Sequence, residues 1–343
     1  MKNMFSKDIL KLNPEREIQK ITTRMREIMT KQLKRRGAVL GLSGGIDSSV
    51  TAALCVRAFG PNRVVGILMP ERHSADESLA LGHMVADHLG MQAIEEDISK
   101  ILEALGFYRR YDDAVRMIIP EYGTGWKSKI VTSSVFDKKG FTVFSIVAET
   151  PEGQTVKERL PLKAYLEIVA ATNFKQRTRK MLEYYHADRL NYAVIGTPNR
   201  LEYDQGFFVK TGDGAADIKP IAHLYKSQIY QLAECLEVPE KIRTRQPTTD
   251  TYSLAQGQDE FYFSLPFLQM DLCLYGKNHK VPAKDVAPVI GLTPDQVQSV
   301  YDDIDTKRST TRYLQLPPLL VDDVPEILKE SPTTPKKGAH SRP

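Results

Sequence analysis

The sequence predicts an α/β fold, an open and mostly parallel twisted sheet with helices on both faces and an inserted β-hairpin. Short apolar runs alternate with amphipathic segments over the first hundred residues, an order typical of a parallel sheet covered by helices. A turn rich in glycine and serine directly follows the first apolar run, where a strand would lead into a helix. Beyond residue 108 the alternation stops, and β-branched and aromatic residues become frequent.

Each predicted element has its own signal. Apolar side chains that recur every three or four residues predict helices over 14–36, 50–59, 76–89, 173–190 and 225–236. Short apolar runs bounded by polar or turn residues predict strands over 38–40, 64–69, 92–98 and 192–195. Open parallel sheets bind ligands beyond the carboxyl ends of their strands. The segments that follow residues 40 and 195 are therefore the expected binding site.

The segment over about 108–165 is interpreted as an insertion on the sheet domain. Residues 141–148 alternate in polarity, 151–154 read Pro-Glu-Gly-Gln, and 155–162 continue the pattern, which predicts a β-hairpin. We expect a single domain over 1–325. We expect a disordered tail over 326–343, whose last part is rich in proline, threonine and lysine and almost free of apolar residues.

Composition limits the class of protein. The chain has 343 residues, 41% of them hydrophobic and 26% charged, and no apolar run approaches the ~20 residues that span a bilayer. The amino terminus lacks a long apolar core, and Cys55, Cys235 and Cys273 are far apart and odd in number. We therefore expect a cytoplasmic protein without a disulfide framework or zinc ribbon. The net charge of +4 is too small to indicate nucleic-acid binding, and the basic cluster over 31–36 is interpreted as complementing a helix dipole.

The turn after the first predicted strand reads Ser-Gly-Gly-Ile-Asp-Ser over 43–48. Adjacent glycines let the backbone approach a ligand closely, and the free N–H groups at the N-terminus of the next helix favour an anion. Two hydroxyls and the Asp47 carboxylate lie in the same turn, which indicates a phosphate site with a metal ligand. It is not a Walker A loop, because that motif needs a lysine after its last glycine. The alternative is an ordinary turn that Asp47 caps.

This turn resembles the signature of the N-type ATP pyrophosphatases, which split ATP into AMP and pyrophosphate. Five further motifs resemble, in order, the ammonia-dependent NAD synthetase family of that superfamily, at 173–179, 196–202, 206–221, 224–226 and 246–250. The resemblance covers residues from about 15 to about 320 apart from the hairpin. It implies that the predicted sheet has the adenine nucleotide alpha hydrolase-like form.

The resemblance also implies roles for particular residues. Those expected to bind ATP are Gly41, Leu42, Ser43, Gly44, Gly45, Ile46, Asp47, Ser48, Arg72, Thr197, Lys226 and Thr248. Those expected to bind deamido-NAD are Asn173, Arg177, Lys210, Asp217 and Lys307. Asp47 and Glu202 would hold Mg²⁺, which favours one or two carboxylates together with substrate phosphates. Asp47, Lys226 and Asp213 would serve catalysis, with Asp213 as the candidate general base for ammonia.

Each of these assignments has a structural alternative. Lys226 could be a surface residue of its helix, and Glu202 could cap or pair locally. The two aspartates of the 206–221 segment flank glycines and could be turn formers. Arg177 and Arg179 lie two residues apart on a predicted helix and therefore do not share one face. Of these two arginines, Arg177 is the preferred substrate contact.

The implied reaction has two steps. The carboxylate of nicotinic acid adenine dinucleotide (deamido-NAD) attacks the α-phosphorus of ATP and releases pyrophosphate, and ammonia then converts the acyl-adenylate into NAD and AMP. The family forms homodimers that share the site across the interface, so a homodimer is expected. We expect free ammonia as the nitrogen source, unless a separate glutaminase subunit delivers it, because no cysteine has the setting of a glutaminase nucleophile. Neither a nucleic acid nor a membrane is an expected partner.

Three departures from the family pattern leave alternatives open, namely the hairpin, the residues over 198–201, and the Asp-Thr-Lys-Arg sequence over 305–308 in place of a His-Lys-Arg tail. The substrate could be a different carboxylic acid that is activated and amidated in the same way. A tRNA-thiolating enzyme is disfavoured by the scattered cysteines and the weak charge. A nucleotide-binding regulator on the same fold would bind ATP without cleaving it.

Overall fold

The computed structural model describes residues 5–74, 76–132, 136, 144–245, 251–254, 257, 262–263, 265–322 and 324. The expected tail over 326–343 and the motif over 246–250, with Thr248, lie outside these residues. The described strands are β1 (Ala38–Gly41), β2 (Val64–Leu68), β3 (Gln92–Glu95), β4 (Lys127–Thr132), β5 (Phe144–Glu149), β6 (Thr155–Arg159) and β7 (Ala193–Val194). The described α-helices are α1 (Pro14–Glu27), α2 (Ile46–Phe59), α3 (Asp76–Leu89), α4 (Ser99–Ala104), α5 (Phe107–Arg116), α6 (Leu162–Leu190), α7 (Arg200–Gln205), α8 (Lys226–Cys235), α9 (Glu240–Thr244), α10 (Phe267–Asn278), α11 (Ala283–Ile290) and α12 (Pro294–Gln315).

Four strands form a parallel sheet in the order β3-β2-β1-β7. Successive side chains of a strand point to opposite faces. Ala38 and Leu40 of β1 accordingly enter a core with α1, α2, α3 and α8, whereas Val39 enters a second core with α5 and α6. Burial of both faces explains why the strands are almost entirely apolar. The predicted parallel sheet with helices on both faces is confirmed.

A third cluster of buried apolar residues lies among α10, α11 and α12. These helices pack against α7 and α8, which follow β7 in the chain. No helix of the described residues combines the length and apolar character that crossing a membrane demands.

The inserted segment contains the predicted hairpin and one strand more. β5 and β6 pair antiparallel around the expected turn, and β4 pairs with the other edge of β5. The prediction of a hairpin alone was therefore incomplete. β4 also contacts a distant segment, because the Ser128 N–H donates to Ser253 Oγ (2.9 Å) and the Ser128 carbonyl accepts from the Leu254 N–H (3.2 Å).

Three helix boundaries differ clearly from the prediction. α2 begins at Ile46, four residues before the predicted start at 50. α6 begins at Leu162, eleven residues before the predicted start at 173, because Pro161 ends the preceding extended segment and occupies the N-cap position. The first helix is α-helical only to Glu27, continues as a π-helix over Ile28–Leu33, and ends at Lys34 in the left-handed conformation (φ 54°). The strand predicted over 92–98 ends at Glu95.

Candidate active site

A cavity of about 720 Å³ lies at the carboxyl ends of β1, β2 and β7. The chain builds β2 and β3 on one side of β1 and later places β7 on the other side. The crevice beyond β1 is therefore the point where the strand order reverses, which is the usual ligand site of an open α/β sheet. The turn after β1 lines one part of the cavity, and other parts of its wall come from α6 and α12.

The turn after β1 is held tightly against helix α3. Gly44 has φ 72°, and a Cβ there would lie 2.6 Å from Leu81 Cβ and 2.8 Å from the Ser78 carbonyl oxygen. The Ser43 and Ser48 hydroxyls are 3.1 Å apart, and Ser48 Oγ donates to the Gly45 carbonyl (3.0 Å). Gly45 is the N-cap of α2, so the first N–H groups of that helix are directed at the cavity end without helical partners. This backbone arrangement can bind an anion, so the turn over 43–48 is a candidate phosphate-binding turn.

Asp47 lies in the first turn of α2 and forms an ion pair with Lys226 at the start of α8. Its other oxygen accepts a hydrogen bond from Asn199 Nδ2 (3.3 Å). Asn199 and Glu202 cap α7 reciprocally, because each side chain accepts from the other residue's backbone N–H, at 3.2 and 3.0 Å. The cap therefore places Glu202 beside Asp47 at the cavity.

The charges around this point are strongly coupled. Burial, and then the Asp47 carboxylate, raise the pKa of Glu202. Burial opposes the charged form of Lys226, which is 1% exposed, but the two carboxylates raise its pKa above the ordinary value. Asp47 and Glu202 repel each other and both act on the Lys226 ammonium, so a further cation at this position would relieve their repulsion.

The donor set at this position fits Mg²⁺. Two carboxylates beside a phosphate-binding turn match the preference of Mg²⁺ for a few carboxylates plus substrate oxygens. Within the described ranges no group of three or more histidine, cysteine, aspartate or glutamate side chains could hold a metal. Asp47 and Glu202 would therefore need substrate phosphates or water to complete the coordination of the ion.

The backbone of Lys226 is held in place by a buried carboxylate. The backbone N–H groups of Lys226 and Ser227 donate to the two oxygens of Asp271 on α10, at 3.2 and 2.7 Å. Burial raises the pKa of Asp271 to about 6. This carboxylate accepts from the N-terminus of α8 and thereby sets where the Lys226 side chain begins.

Another part of the cavity wall is a polar stripe on α6. Its members recur at helical spacing and line the cavity, namely Thr172, Asn173, Gln176, Arg179, Lys180 and Glu183. The turn that carries Asp213 faces this stripe, and Asp213 Oδ1 accepts from the Val209 N–H (2.8 Å). Burial raises the pKa of Asp213. Asp213 therefore places a carboxyl group with a raised pKa in the cavity wall.

A third section of the wall joins the insertion to the sheet. Lys175 on α6 is 2% exposed, donates to Glu71 Oε1 (2.8 Å), and also donates to the Thr251 carbonyl (3.0 Å). Thr132 of β4 and Phe144 of β5 line the same cavity. The insertion therefore forms part of the cavity wall.

Most of the predicted site residues line this one cavity. They are the eight residues of the turn over 41–48, together with Asn173, Thr197, Glu202, Asp213, Lys226 and Lys307. Their functional roles remain predictions.

Four predicted residues do not line the cavity. Arg72 lies over the Tyr108 ring, 4.0 Å from its centroid, and pairs with Glu103. Arg177 donates to the Lys210 carbonyl (3.4 Å), and Lys210 Nζ donates to a carbonyl of α12 (2.9 Å). Arg179, and not Arg177, lines this cavity, so the preference for Arg177 as a substrate contact stays a prediction.

The fourth of these residues, Asp217, supports the sheet. It accepts from the Val194 N–H of β7 (2.8 Å) and from the Tyr184 hydroxyl (3.3 Å). These hydrogen bonds fix the end of β7 beside the cavity. In this structure Asp217 therefore positions the backbone that leads to Thr197.

Sequence reasoning missed several residues of the site. Asn199 could have been found, because an asparagine three residues before a glutamate is a capping-box pattern. Lys180 and Glu183 could have been found from the helical spacing that continues from Asn173. Asp271 carries no local signal, because its partners at the start of α8 lie 44 and 45 residues away.

Comparisons with known proteins show the family to which the chain belongs. The chain matches the model of a family described as NAD synthase over residues 17–121 and 135–312. It is 56% identical over 318 residues to the NH3-dependent NAD+ synthetase of Mesorhizobium japonicum. This alignment covers 93% of this chain and 100% of that protein. Of the expected insertion, only 122–134 lies outside the family match, and this stretch contains β4.

Two solved structures resemble the chain in fold. An NMN synthetase from Francisella tularensis has a TM-score of 0.62 and 20% identity and covers 90% of this chain and 99% of its own. An NH3-dependent NAD synthetase from Campylobacter jejuni has a TM-score of 0.59 and 22% identity and covers 91% of this chain and 100% of its own. At these identities the likeness concerns the fold alone.

Proposed function

Since the chain belongs to the NAD synthase family, we propose that it is an ammonia-dependent NAD synthetase, a C–N ligase that amidates deamido-NAD with ATP. The name of the M. japonicum relative states that it makes NAD+ with NH3, and the acid that differs from NAD+ only by this amide is deamido-NAD. One observation carries the proposal. A single cavity holds a phosphate-binding turn with a carboxylate pair at one end and a separate polar wall for a second substrate.

In the first step the substrate carboxylate attacks the α-phosphorus of ATP, and the bond to pyrophosphate breaks. Such a transfer depends on positioning and on neutralising charge, because the protein need not form a covalent intermediate. The N–H groups at the start of α2 and the Lys226 ammonium would stabilise the negative charge that grows on the leaving pyrophosphate. Asp47 and Glu202 would hold Mg²⁺, which supplies positive charge against the phosphates when bound.

In the second step ammonia attacks the carbonyl carbon of the acyl-adenylate, and AMP leaves with the electron pair of the broken C–O bond. The attacking nitrogen must lose a proton to become an amide. Asp213 is the proposed acceptor, because it lines the cavity and its raised pKa suits a general base. Ammonia is proposed to be free, in keeping with the name of the M. japonicum relative.

We also propose that the protein works as a homodimer through α6. Four large apolar side chains of this helix are exposed by more than half, namely Leu162, Leu166, Met181 and Tyr185. Arg177 follows Leu166 by three helical turns and precedes Met181 by one, so it belongs to the same stripe. A second copy that covers this stripe would bring Arg177 to the shared site. Sedimentation of wild type and Met181→Asp tests this, since a monomeric wild type contradicts it.

The decisive test is an assay of pyrophosphate release by the purified enzyme with ATP, ammonium and deamido-NAD. Deamido-NAD is expected to give NAD, AMP and pyrophosphate in equal amounts, and Asp47→Ala is expected to lower kcat at least 100-fold. Turnover only with another acid, such as nicotinic acid mononucleotide, would favour the alternative substrate. ATP that binds but is never cleaved would favour a regulator.

A further inference from the structure

Lys180 and Glu183 form a buried ion pair that the mechanism above leaves unused. Their charged atoms are 2.6 Å apart, both side chains are 7% exposed, and both line the cavity. Removing two charges from water is costly, and their mutual attraction seldom repays that cost with a large gain in stability. A pair of neutral side chains would serve the fold as well, so the pair calls for a functional explanation.

The pair lies where the two halves of the cavity meet. Glu183 lies against the start of the phosphate-binding turn, since a Cβ on Gly41 would be 2.9 Å from Glu183 Oε1. On the other side, the Lys180 ammonium acts on Asp213 and opposes the larger effect of burial on the pKa of that carboxyl. Lys180 therefore lies between the nucleotide end of the cavity and the Asp213 turn.

Other cations of the cavity are committed elsewhere. Lys226 pairs with Asp47, and Lys175 donates to Glu71 and to the Thr251 carbonyl. Lys307 pairs with Asp303 (2.7 Å). Arg179 lines the wall one residue before Lys180 but is only half-buried, so water screens its charge more.

The proposed reaction requires a carboxylate to approach the α-phosphate, and both groups are anionic. We propose that Lys180 binds the carboxylate of the acid substrate and holds it against the α-phosphate, with Glu183 as the positioning residue that orients the ammonium. An ammonium has three donors, and Glu183 uses one of them. The inference rests on the proposed function, because it needs an acid substrate and ATP in one cavity.

The experiment uses Lys180→Met, Glu183→Gln and the double variant, with Arg179→Met as a matched removal of a nearby charge. Lys180→Met is expected to raise KM for deamido-NAD at least 10-fold and to lower kcat, with the Kd for ATP within 3-fold of wild type. The double variant is expected to regain the thermal stability that Lys180→Met loses and to keep its KM defect. Glu183→Gln and Arg179→Met are expected to change KM by less than Lys180→Met does.

The double variant separates a substrate contact from a structural pair. If activity returns together with stability in the double variant, the inference is overturned. If the wild type amidates another acid but not deamido-NAD, the proposed substrate fails, and the same KM comparison with that acid still tests Lys180. If the wild type releases no pyrophosphate with any acid, the proposed function and this inference both fail.

Discussion

Glu202→Gln is expected to make the ligand-free protein more stable and the enzyme inactive. Burial and the neighbouring Asp47 carboxylate raise the pKa of Glu202 from 4.5 to about 8. Between these two pH values the folded state keeps a proton that the unfolded state has lost, so wild-type stability falls as the pH rises through this window. Glutamine cannot ionise, so the variant does not lose this stability.

The size of the effect follows from the shift of the pKa. One unit corresponds to about 1.4 kcal/mol, so the full shift sets an upper limit of about 5 kcal/mol. Asp47 and Lys226 share the titration, and the cavity is open to solvent, so about 1–2 kcal/mol is expected from the single substitution. For a protein of this size that corresponds to a Tm higher by about 1.5–3 °C at pH 8 and by almost nothing at pH 4.5.

The assay is thermal unfolding of wild type and Glu202→Gln without ligands at pH 4.5, 6, 7 and 8. Glu234→Gln, which neutralises an exposed carboxylate on α8, is the control and is expected to show no growing difference. The activity of Glu202→Gln is expected to fall at least 100-fold, about 2.7 kcal/mol, because one carboxylate of the proposed Mg²⁺ site is lost. A Tm difference that is independent of pH, or an active variant, would refute the reasoning.

Three other substitutions probe separate parts of the site. Gly44→Ala is expected to cost about 1–3 kcal/mol of stability and to weaken ATP binding in calorimetry. Gly60 also has a positive φ but has open space where a Cβ would lie, so Gly60→Ala is expected to lose stability alone. Equal ATP affinities of the two variants would contradict this prediction. Asp271→Asn keeps one acceptor oxygen for two backbone N–H groups. The variant is expected to lose about 1–3 kcal/mol of stability in urea unfolding and part of kcat. Unchanged values would show that the carboxylate does not set the start of α8. Arg177→Ala is expected to raise KM for deamido-NAD only in the dimer. Arg179→Ala changes the cavity wall of one subunit and is expected to raise this KM in monomer and dimer alike. Steady-state kinetics over a range of protein concentration distinguishes the two variants.

The sequence predicts those helices and strands whose formation depends on residues adjacent in the chain. β1 and β2 are short apolar runs between turn residues, and α3 has the predicted bounds because its apolar spacing is regular. β4 was missed because the first half of Lys127–Thr132 reads Lys-Ser-Lys, and the segment gains its strand character from pairing with β5. Strand propensity depends on such partners more than on the segment itself.

The same distinction holds for the site. The turn over 43–48 could be interpreted directly, because its glycines, hydroxyls and carboxylate are adjacent in the chain. Contacts such as Lys175 with Glu71, 104 residues apart, could not be predicted because they depend on how α6 crosses the sheet. The sequence could not show which of Arg177 and Arg179 lines the cavity, because the spacing of the stripe was clear but the direction that it faces was not.

The bonds between β4 and the segment over 251–254 join points 125 residues apart in the chain. A shortened protein without residues 122–134 would lose Ser128, the partner of both Ser253 and Leu254, and with it the support behind Thr251. β4, which lies in the stretch outside the family match, therefore supports the cavity wall from behind. We expect an enzyme shortened by this stretch to lose activity.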